Sequence, residues 1–279
     1  MKKLQIVVFG LAALIMTACN DYKGYKKTES GLRYRFHTQN EQAQKPEIGD
    51  VVTLSLEVRT DSDSLLQKSD VIQTMLQTPK FQGDIFEGLQ MMHLGDSATF
   101  IIPAKEYFET YNYGQVPPFV QKNSMLRLTA CIHAIQSYNE YRTQQIQDNK
   151  EKEQTLIAQY LQEHNITVEP TASGLYYIET KAGKGANPVK GNQCTVHYRG
   201  TLMDGTQFDA SYDRNEPFTF QLGMGQVIAG WDEAIGMMKR GGKATLLLPS
   251  SIAYGERGAG EMIPPFTPLV FEVELLDFK

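Results

Sequence analysis

Apolar and polar residues alternate in short runs along most of the chain beyond residue 30, which is the period of strands that bury one face. The runs from Leu126 to Ile132 and from Leu269 to Leu275 are clear examples. Turn signals such as Asp204-Gly205 separate the runs. A short helix is predicted from about Gly230 to Met238, ending at Gly241-Gly242. This pattern indicates an α+β fold in which antiparallel sheet dominates.

The pattern occurs twice, so the chain is predicted to be a duplicated domain. The matching segments are Ser30 to Tyr34 with Ser173 to Tyr177, Glu87 to Thr99 with Glu233 to Thr245, Pro103 with Pro249, and Pro117-Pro118-Phe119 with Pro264-Pro265-Phe266. The predicted copies occupy residues 29–136 and 171–279.

The segment between the copies, residues 137–170, is rich in Gln, Glu, Lys and Asn. The stretch from Ser137 to Glu140 fits a capping box, and apolar residues between Leu156 and Leu161 recur at helical spacing. A helix over about 138–164 is therefore predicted, roughly 40 Å long at ~1.5 Å per residue. Because residues 144–154 are so polar, we expect them to be solvated on all sides, as in a spacer. The alternative is a partner-binding helix that uses the apolar stripe.

The chain begins with a basic Met1-Lys2-Lys3 and an apolar run from Leu4 to Met16, which is typical of an export signal and short for a membrane span. The following Met16-Thr17-Ala18-Cys19 resembles the lipobox of bacterial lipoproteins. We therefore expect a signal peptide at 1–18, a lipidated Cys19 and a polar tether at 19–28. The alternative is an ordinary secretory signal with an incidental cysteine.

A lipidated Cys19 would tether the protein in the bacterial cell envelope. Asn20 directly after it favours the outer membrane, facing the periplasm, under enterobacterial sorting.

Composition excludes several classes of function. The net charge of −5 and pI near 5.6 give no general attraction to nucleic acid. The five histidines lack the paired spacing of a zinc site, and no glycine loop precedes a helix as in phosphate binding, so no metal or cofactor is expected. Cys194 alternates with core positions and Cys131 with outward ones, which predicts two free thiols rather than a disulfide.

Trp231 is the single tryptophan, and it follows Val227-Ile228-Ala229-Gly230. Aromatic and apolar residues converge on it from several predicted strands. One interpretation is a well-filled core. The other is an apolar pocket with Trp231 as its floor, which the order and spacing of the surrounding motifs favour.

Residues 173–279 resemble the FKBP-type peptidyl-prolyl cis-trans isomerases over the whole domain. The resemblance is carried by Val196 to Gly200, Asp204-Gly205, Phe208-Asp209, Asp213 to Phe218, Leu222-Gly223, Val227 to Trp231, Ala253-Tyr254-Gly255, Ile263-Pro264-Pro265 and Leu269 to Leu275. It implies two FKBP-like domains, each an antiparallel sheet wrapped on one short helix, joined by a helical linker. It also implies rotation about X-Pro bonds of unfolded or exported polypeptides.

The resemblance assigns the pocket residue by residue. Trp231 is the floor under the proline ring, the Ile228 N–H and the Tyr254 hydroxyl are donors to substrate carbonyls, and Ile263 closes the rim. Asp209 is the polar pocket residue, paired with Arg214. The walls are Tyr198, Phe208, Phe218, Val227, Ile228 and Phe271. Ala259 stands where a histidine occurs in well-known members. The resemblance therefore does not extend to their sequence preference or macrolide affinity, whereas it does extend to catalysis.

The first copy keeps the scaffold without the pocket. Ile85 stands in register with Trp231, Leu56 with Tyr198 and Leu128 with Phe271, while Phe108 falls opposite Tyr254. Little or no isomerase activity is expected there. This copy is instead predicted to hold clients, to pack on the second domain or to mediate a homodimer. For the whole chain, the alternative to an isomerase is a non-catalytic chaperone or scaffold with the same fold.

Overall fold

The computed structural model describes residues 22–112 and 114–279. The predicted signal peptide at 1–18 and the predicted lipidation site Cys19 lie outside the described residues. The chain divides between Tyr141 and Arg142 into two compact units. Among the described helices, none is long and apolar enough to cross a membrane.

The described part of the first unit is a six-stranded antiparallel sheet with two short helices. Its elements are β1 (Lys26–Lys27), β2 (Arg33–Thr38), β3 (Val51–Thr60), β4 (Leu65–Met75), α1 (Ile85–Leu89), β5 (Ser97–Pro103), α2 (Ala104–Tyr111) and β6 (Met125–Gln136). Helix α3 (Tyr138–Glu163) follows and leads into the second unit.

Besides most of α3, the second unit is a sheet wrapped on one α-helix, with short 3-10 turns in its connections. Its elements are β7 (Tyr176–Lys181), β8 (Gln193–Thr201), β9 (Gln207–Ala210), β10 (Phe218–Gln221), α4 (Ala229–Met237), β11 (Lys243–Leu248) and β12 (Leu269–Phe278).

The two units share one strand order. The first sheet runs β2-β5-β6-β3-β4 after the short β1, and the second runs β7-β11-β12-β8-β10, with β9 also paired to β8. A contact near the start of each copy is repeated as well, because Ser30 donates to Glu87 and the matching Ser173 donates to Glu233. The predicted α+β class with two FKBP-like domains and a helical linker is confirmed.

The main difference between the units lies beside β3 and β8. In the first unit β4 is one strand of 11 residues. In the second unit the chain beside β8 is broken into β9, a 3-10 turn at Tyr212–Arg214 and β10. The break leaves room for side chains to gather at the inner face of β8.

The predicted capping box is present at the start of α3. Glu140 Oε2 accepts the Ser137 N–H at 2.9 Å, and the Glu140 N–H donates to Ser137 Oγ at 3.3 Å. The expectation that residues 144–154 are solvated on all sides is wrong at Glu153, which is buried. Its carboxylate accepts hydrogen bonds from the backbone N–H and the hydroxyl of Ser250, which follows β11 in the same unit, and these donors take the place of water.

The apolar stripe of α3 packs on its own domain. Ile157 is buried against Leu247 of β11 and Val270 of β12, with Tyr160 and Leu161 beside it. This face is therefore occupied within the second unit.

The stretch predicted as a tether at 19–28 is structured from Tyr22 onward. Lys26 and Lys27 pair with β2. The Tyr22 hydroxyl donates to Asp61 at 2.7 Å, and Arg33 lies over the Tyr22 ring at 5.1 Å. The tyrosines of this stretch thus contact the first unit, and two arginines of β2, Arg33 and Arg35, lie over the rings of Tyr22 and Tyr25.

Both predicted thiol orientations are confirmed. Cys194 is fully buried, Cys131 is half-buried, and both are free. Burial raises the pKa of Cys194 to about 11, so this thiol stays protonated and unreactive. Helix α4 (Ala229–Met237) agrees within one residue with the predicted bounds, and the left-handed Gly241 (φ 77°) shapes the turn into β11.

Candidate active site

Trp231 lies in the first turn of α4, facing the inner surface of the second sheet. It is 4% exposed, and its ring stands edge-on to Tyr198 on β8 and to Phe271 on β12, with centroids 4.9 Å and 5.2 Å away. Edge-to-face packing of this kind fixes ring orientation and adds stability beyond burial alone. The three rings form one aromatic corner, which brings together the residues that the resemblance assigned to the floor and to two of the walls.

Phe208 and Phe218 complete the aromatic set from the broken edge of the sheet. Phe208 on β9 stands edge-on to Phe271 at 5.5 Å, and Phe218 on β10 lies 6.2 Å from Trp231. Sequence reasoning missed Phe220, which is buried, stacks on Phe218 and lies 6.0 Å from Trp231. The sequence could have indicated Phe220, because residues i and i+2 of a strand share a face and Phe218 was already assigned to the pocket.

Gly200 makes the aromatic packing possible. A Cβ at this position of β8 would lie 2.6 Å from the Phe208 ring and 2.8 Å from the Phe271 ring. Gly200 is also the cross-strand partner of Phe271. The two rings therefore occupy the space that a side chain at position 200 would need.

Asp209, Tyr198 and Arg214 form a closed polar group at the edge of the aromatic corner. The Tyr198 hydroxyl donates to Asp209 Oδ2, Arg214 forms an ion pair with Asp209 Oδ1 at 2.6 Å, and Arg214 also donates to the Tyr198 oxygen at 2.9 Å. The 3-10 turn after β9 brings Arg214 back onto Asp209. The structure thus brings together the pair that the resemblance assigned.

The pKa values follow from this geometry. Burial acts to raise the pKa of Asp209, but hydrogen bonds from Tyr198 and Arg214 outweigh it and hold that pKa below its ordinary value. Burial and the bond to Asp209 raise the pKa of Tyr198 to about 12. Asp209 is therefore ionised and Tyr198 protonated at neutral pH, which fixes charge at one side of an apolar corner.

Two predicted donors border the corner. Ile228 precedes α4 with an extended backbone (φ −61°, ψ 149°), and its N–H has no acceptor among the described residues, while its carbonyl accepts the Trp231 N–H at 2.9 Å. Tyr254 follows the 3-10 turn Ser250–Ile252 and is 39% exposed. Burial, then the charge of Asp209, raises the pKa of Tyr254, so its hydroxyl remains a donor.

The rim residue Ile263 is buried in the loop after Tyr254. It exchanges two backbone hydrogen bonds with Ala259, at 2.8 and 3.2 Å. Gly258, with φ 64°, permits this closure because a Cβ there would lie 2.1 Å from the Ile263 carbonyl oxygen. Val227 is half-buried and packs on the same core. The indole N–H of Trp231 is buried and has no acceptor within the described chain.

The sequence pattern of the family described as FKBP-type peptidyl-prolyl cis-trans isomerase matches residues 184–276. An FK506-binding protein of Neisseria meningitidis serogroup B is 54% identical over 103 residues, which cover 37% of this chain and 94% of that protein. The chain belongs to the FKBP-type peptidyl-prolyl cis-trans isomerases. It is an isomerase of this family.

Two longer relatives match over part of their length. The FKBP-type 22 kDa isomerase of Escherichia coli is 50% identical over 110 residues, covering 39% of this chain and 52% of that protein. The isomerase FkpA of Aeromonas hydrophila is 48% identical over 131 residues, covering 47% of each chain. This FKBP therefore spans about half the length of each of these two proteins.

The first FKBP-like domain has a filled core in place of the corner. The cross-strand pair Leu128 and Val58 stands where the second domain has Phe271 and Gly200. Both are buried, and Val58 carries a branched side chain at the position where Gly200 has none. Ile85 stands at the helix position of Trp231 and is also buried.

Proposed function

We propose that the aromatic corner of the second domain is the site at which this FKBP rotates X-Pro bonds. The observation that carries the assignment is the combination of Trp231, Tyr198 and Phe271 in one apolar corner with the ionised Asp209 at its edge. A proline ring is apolar and compact, and an indole face with edge-on aromatic neighbours matches it.

The chemistry needs no covalent step. Rotation about a prolyl amide faces a barrier of ~18–20 kcal/mol because resonance favours the planar amide. That planar form is charge-separated, whereas the twisted form is less so. A site that excludes water therefore disfavours the ground state relative to the twisted transition state.

Fixed donors then hold the twisted form. The Ile228 N–H and the Tyr254 hydroxyl are assigned to substrate carbonyls on either side of the proline, because both remain available at the edge of the corner. Asp209 fixes the Tyr198 ring through its hydroxyl and sets the field across the site. Phe208, Phe218, Val227 and Ile263 limit the access of water and shape the rim. Donors that need no reorganisation during rotation favour the transition state.

The proposed setting is the bacterial cell envelope, with exported polypeptides as substrates. It rests on the basic and apolar start of the chain and on Met16-Thr17-Ala18-Cys19. Lipid on Cys19 would place the folded part directly at a membrane, proposed to be the periplasmic face of the outer membrane. Cys19→Ala in cells is expected to move the protein from the membrane fraction to the soluble fraction, and retention in membranes would overturn the lipid anchor.

The first domain is proposed to be non-catalytic and to hold client segments or to mediate a homodimer. Its filled core supports the first half of this statement.

The decisive measurement is a cis-to-trans prolyl assay on a short peptide. It compares the full chain, residues 137–279, residues 22–136, and the full chain carrying Asp209→Ala or Phe271→Ala. Activity is expected in the full chain and in residues 137–279 alone, and to fall about tenfold or more in either variant. A folded but inactive 137–279 segment would overturn the assignment and leave the non-catalytic alternative.

A further inference from the structure

Glu153 is a buried carboxylate on the linker helix whose two oxygens are both used by one residue. It is 7% exposed, Oε1 accepts the backbone N–H of Ser250, and Oε2 accepts the Ser250 hydroxyl at 2.9 Å. Burying a carboxylate is costly unless charge-assisted hydrogen bonds replace its water. Here they do, and Glu153 and Ile157 are the buried residues of α3 among those described.

Ser250 begins the segment that carries Tyr254. It is the first residue of the 3-10 turn Ser250–Ile252, and its carbonyl accepts the Ala253 N–H at 2.9 Å. The first N–H groups of a helical turn have no partner within the turn. Glu153 therefore caps this turn from another element, four residues before the assigned donor.

The opposite side of the same segment rests on the helix that carries Trp231. A Cβ on Gly230 would lie 1.7 Å from Leu248 and 3.2 Å from both the side chain and the carbonyl oxygen of Ile252. The turn is thus packed without spare room against the start of α4. Contacts with Glu153 of α3 and with Gly230 of α4 thus hold the turn from two sides, and Tyr254 follows two residues after the turn ends.

A second contact joins α3 to this region at the surface. Arg142 forms an ion pair with Glu256 at 3.3 Å, and both side chains are at least half exposed. Surface pairs of this kind contribute little. The buried bonds of Glu153 are therefore the ones that hold the segment.

We propose that Glu153 is a positioning residue of the isomerase, acting through Ser250 to hold the Tyr254 hydroxyl at the edge of the aromatic corner. The inference rests on the proposed role of Tyr254 as a donor. It makes the linker helix part of the catalytic module, because the residue that orders the donor segment lies 97 positions before Ser250.

The test uses the full chain with Glu153→Ala, Glu153→Gln and Ser250→Ala, and with Glu151→Gln as the matched control. Glu151 lies on the same helix and is exposed. The variants are assayed well below their unfolding midpoints. Glu153→Ala is expected to lower kcat about fivefold with little change in KM, because an interaction made in the transition state is lost. Glu153→Gln, which can still accept the Ser250 N–H, is expected to recover most of the activity, and Ser250→Ala to fall between.

A double-mutant cycle with Tyr254→Phe separates positioning from general stability. If Glu153 acts through Tyr254, Glu153→Ala has little further effect on kcat in the Tyr254→Phe background. Equal activity of Glu153→Ala and Glu151→Gln, or full additivity in the cycle, would overturn the inference while leaving the isomerase assignment intact. An inactive wild-type chain would instead overturn the proposed site, and unchanged activity in Tyr254→Phe would remove the role on which the inference rests. If Glu153→Ala does not fold, the Glu153→Gln and Ser250→Ala variants decide the question.

Discussion

Asp209 shows how one residue combines shape and charge at the site. Its two carboxylate oxygens hold Tyr198 and Arg214, and Tyr198 in turn supports Trp231. A neutral amide cannot serve both donors equally, because its NH2 group would face a donor of its own kind.

Asp209→Asn is therefore expected to lower kcat/KM about tenfold. Asp213→Asn is the matched control, because Asp213 is an exposed neighbour whose carboxylate accepts a hydrogen bond from Gln207 and lies outside the aromatic corner. A peptide isomerisation assay on both variants checks the prediction. Equal losses would show that the carboxylate of Asp209 has no specific part.

The activity should depend little on pH across the neutral range. The pKa of Asp209 is lowered from 3.8, so its contribution to stability is complete above about that value and is lost as pH falls through the lower folded value. The pKa of Tyr198 is raised to about 12 and that of Tyr254 is also raised, so both hydroxyls stay protonated in mild alkali. We expect a flat kcat/KM from about pH 5 to about pH 9, with loss in acid. A titration near pH 7 would contradict this assignment of charges.

At the residue scale, the sequence predicted the aromatic positions better than their supports. The resemblance supplied Phe271 and Phe208, but the reason for Gly200 is a space visible only once both rings are placed. Phe266 is a bulky residue with φ 56°, held by a bond from its N–H to Gly255, and no local signal foretells it. From the sequence Glu153 is predicted to be a solvated charge, because its partner Ser250 is distant in the chain.

At the element scale, α3 shows a polar sequence folded against a domain. Its mean composition favours a free helix, yet one turn contributes Ile157 to a satellite core with Leu247 and Val270. Helices gain most of their stability from such packing rather than from propensity. A stripe this short could not be distinguished in the sequence from a partner-binding face.

Ile157→Ala should reduce the free energy of unfolding of residues 137–279 by about 2–4 kcal/mol, through lost burial and a cavity. Leu156→Ala is the matched control, because Leu156 is adjacent on the helix and 46% exposed, and it should change stability by less than about 0.5 kcal/mol. Urea denaturation measures both. Similar small changes in the two variants would mean that α3 does not depend on this contact.

At the scale of the whole molecule, both copies of the duplicated domain keep the scaffold, whereas the aromatic corner is present in the second copy. Both units keep one strand order and the same Ser to Glu contact, as expected from the segments that match between the two halves of the sequence. The continuous β4 of the first unit could not be predicted in the same way, because alternation in the sequence does not show whether an edge strand is broken. That break decides whether an Asp209 and Arg214 pair can form beside the sheet.

All peptide isomerase activity of the full chain should therefore come from the second domain. The double substitution Asp209→Ala with Phe271→Ala is expected to leave the full chain at the uncatalysed rate, because the buried Leu128 and Val58 stand at the corresponding positions of the first domain. Phe108→Tyr supplies a hydroxyl at the position opposite Tyr254 and should add no activity, since a donor without a pocket binds no proline ring. The peptide assay on both chains checks this. Catalysis that survives the double substitution would contradict this prediction, because it would require a second active site in the first domain despite its filled core.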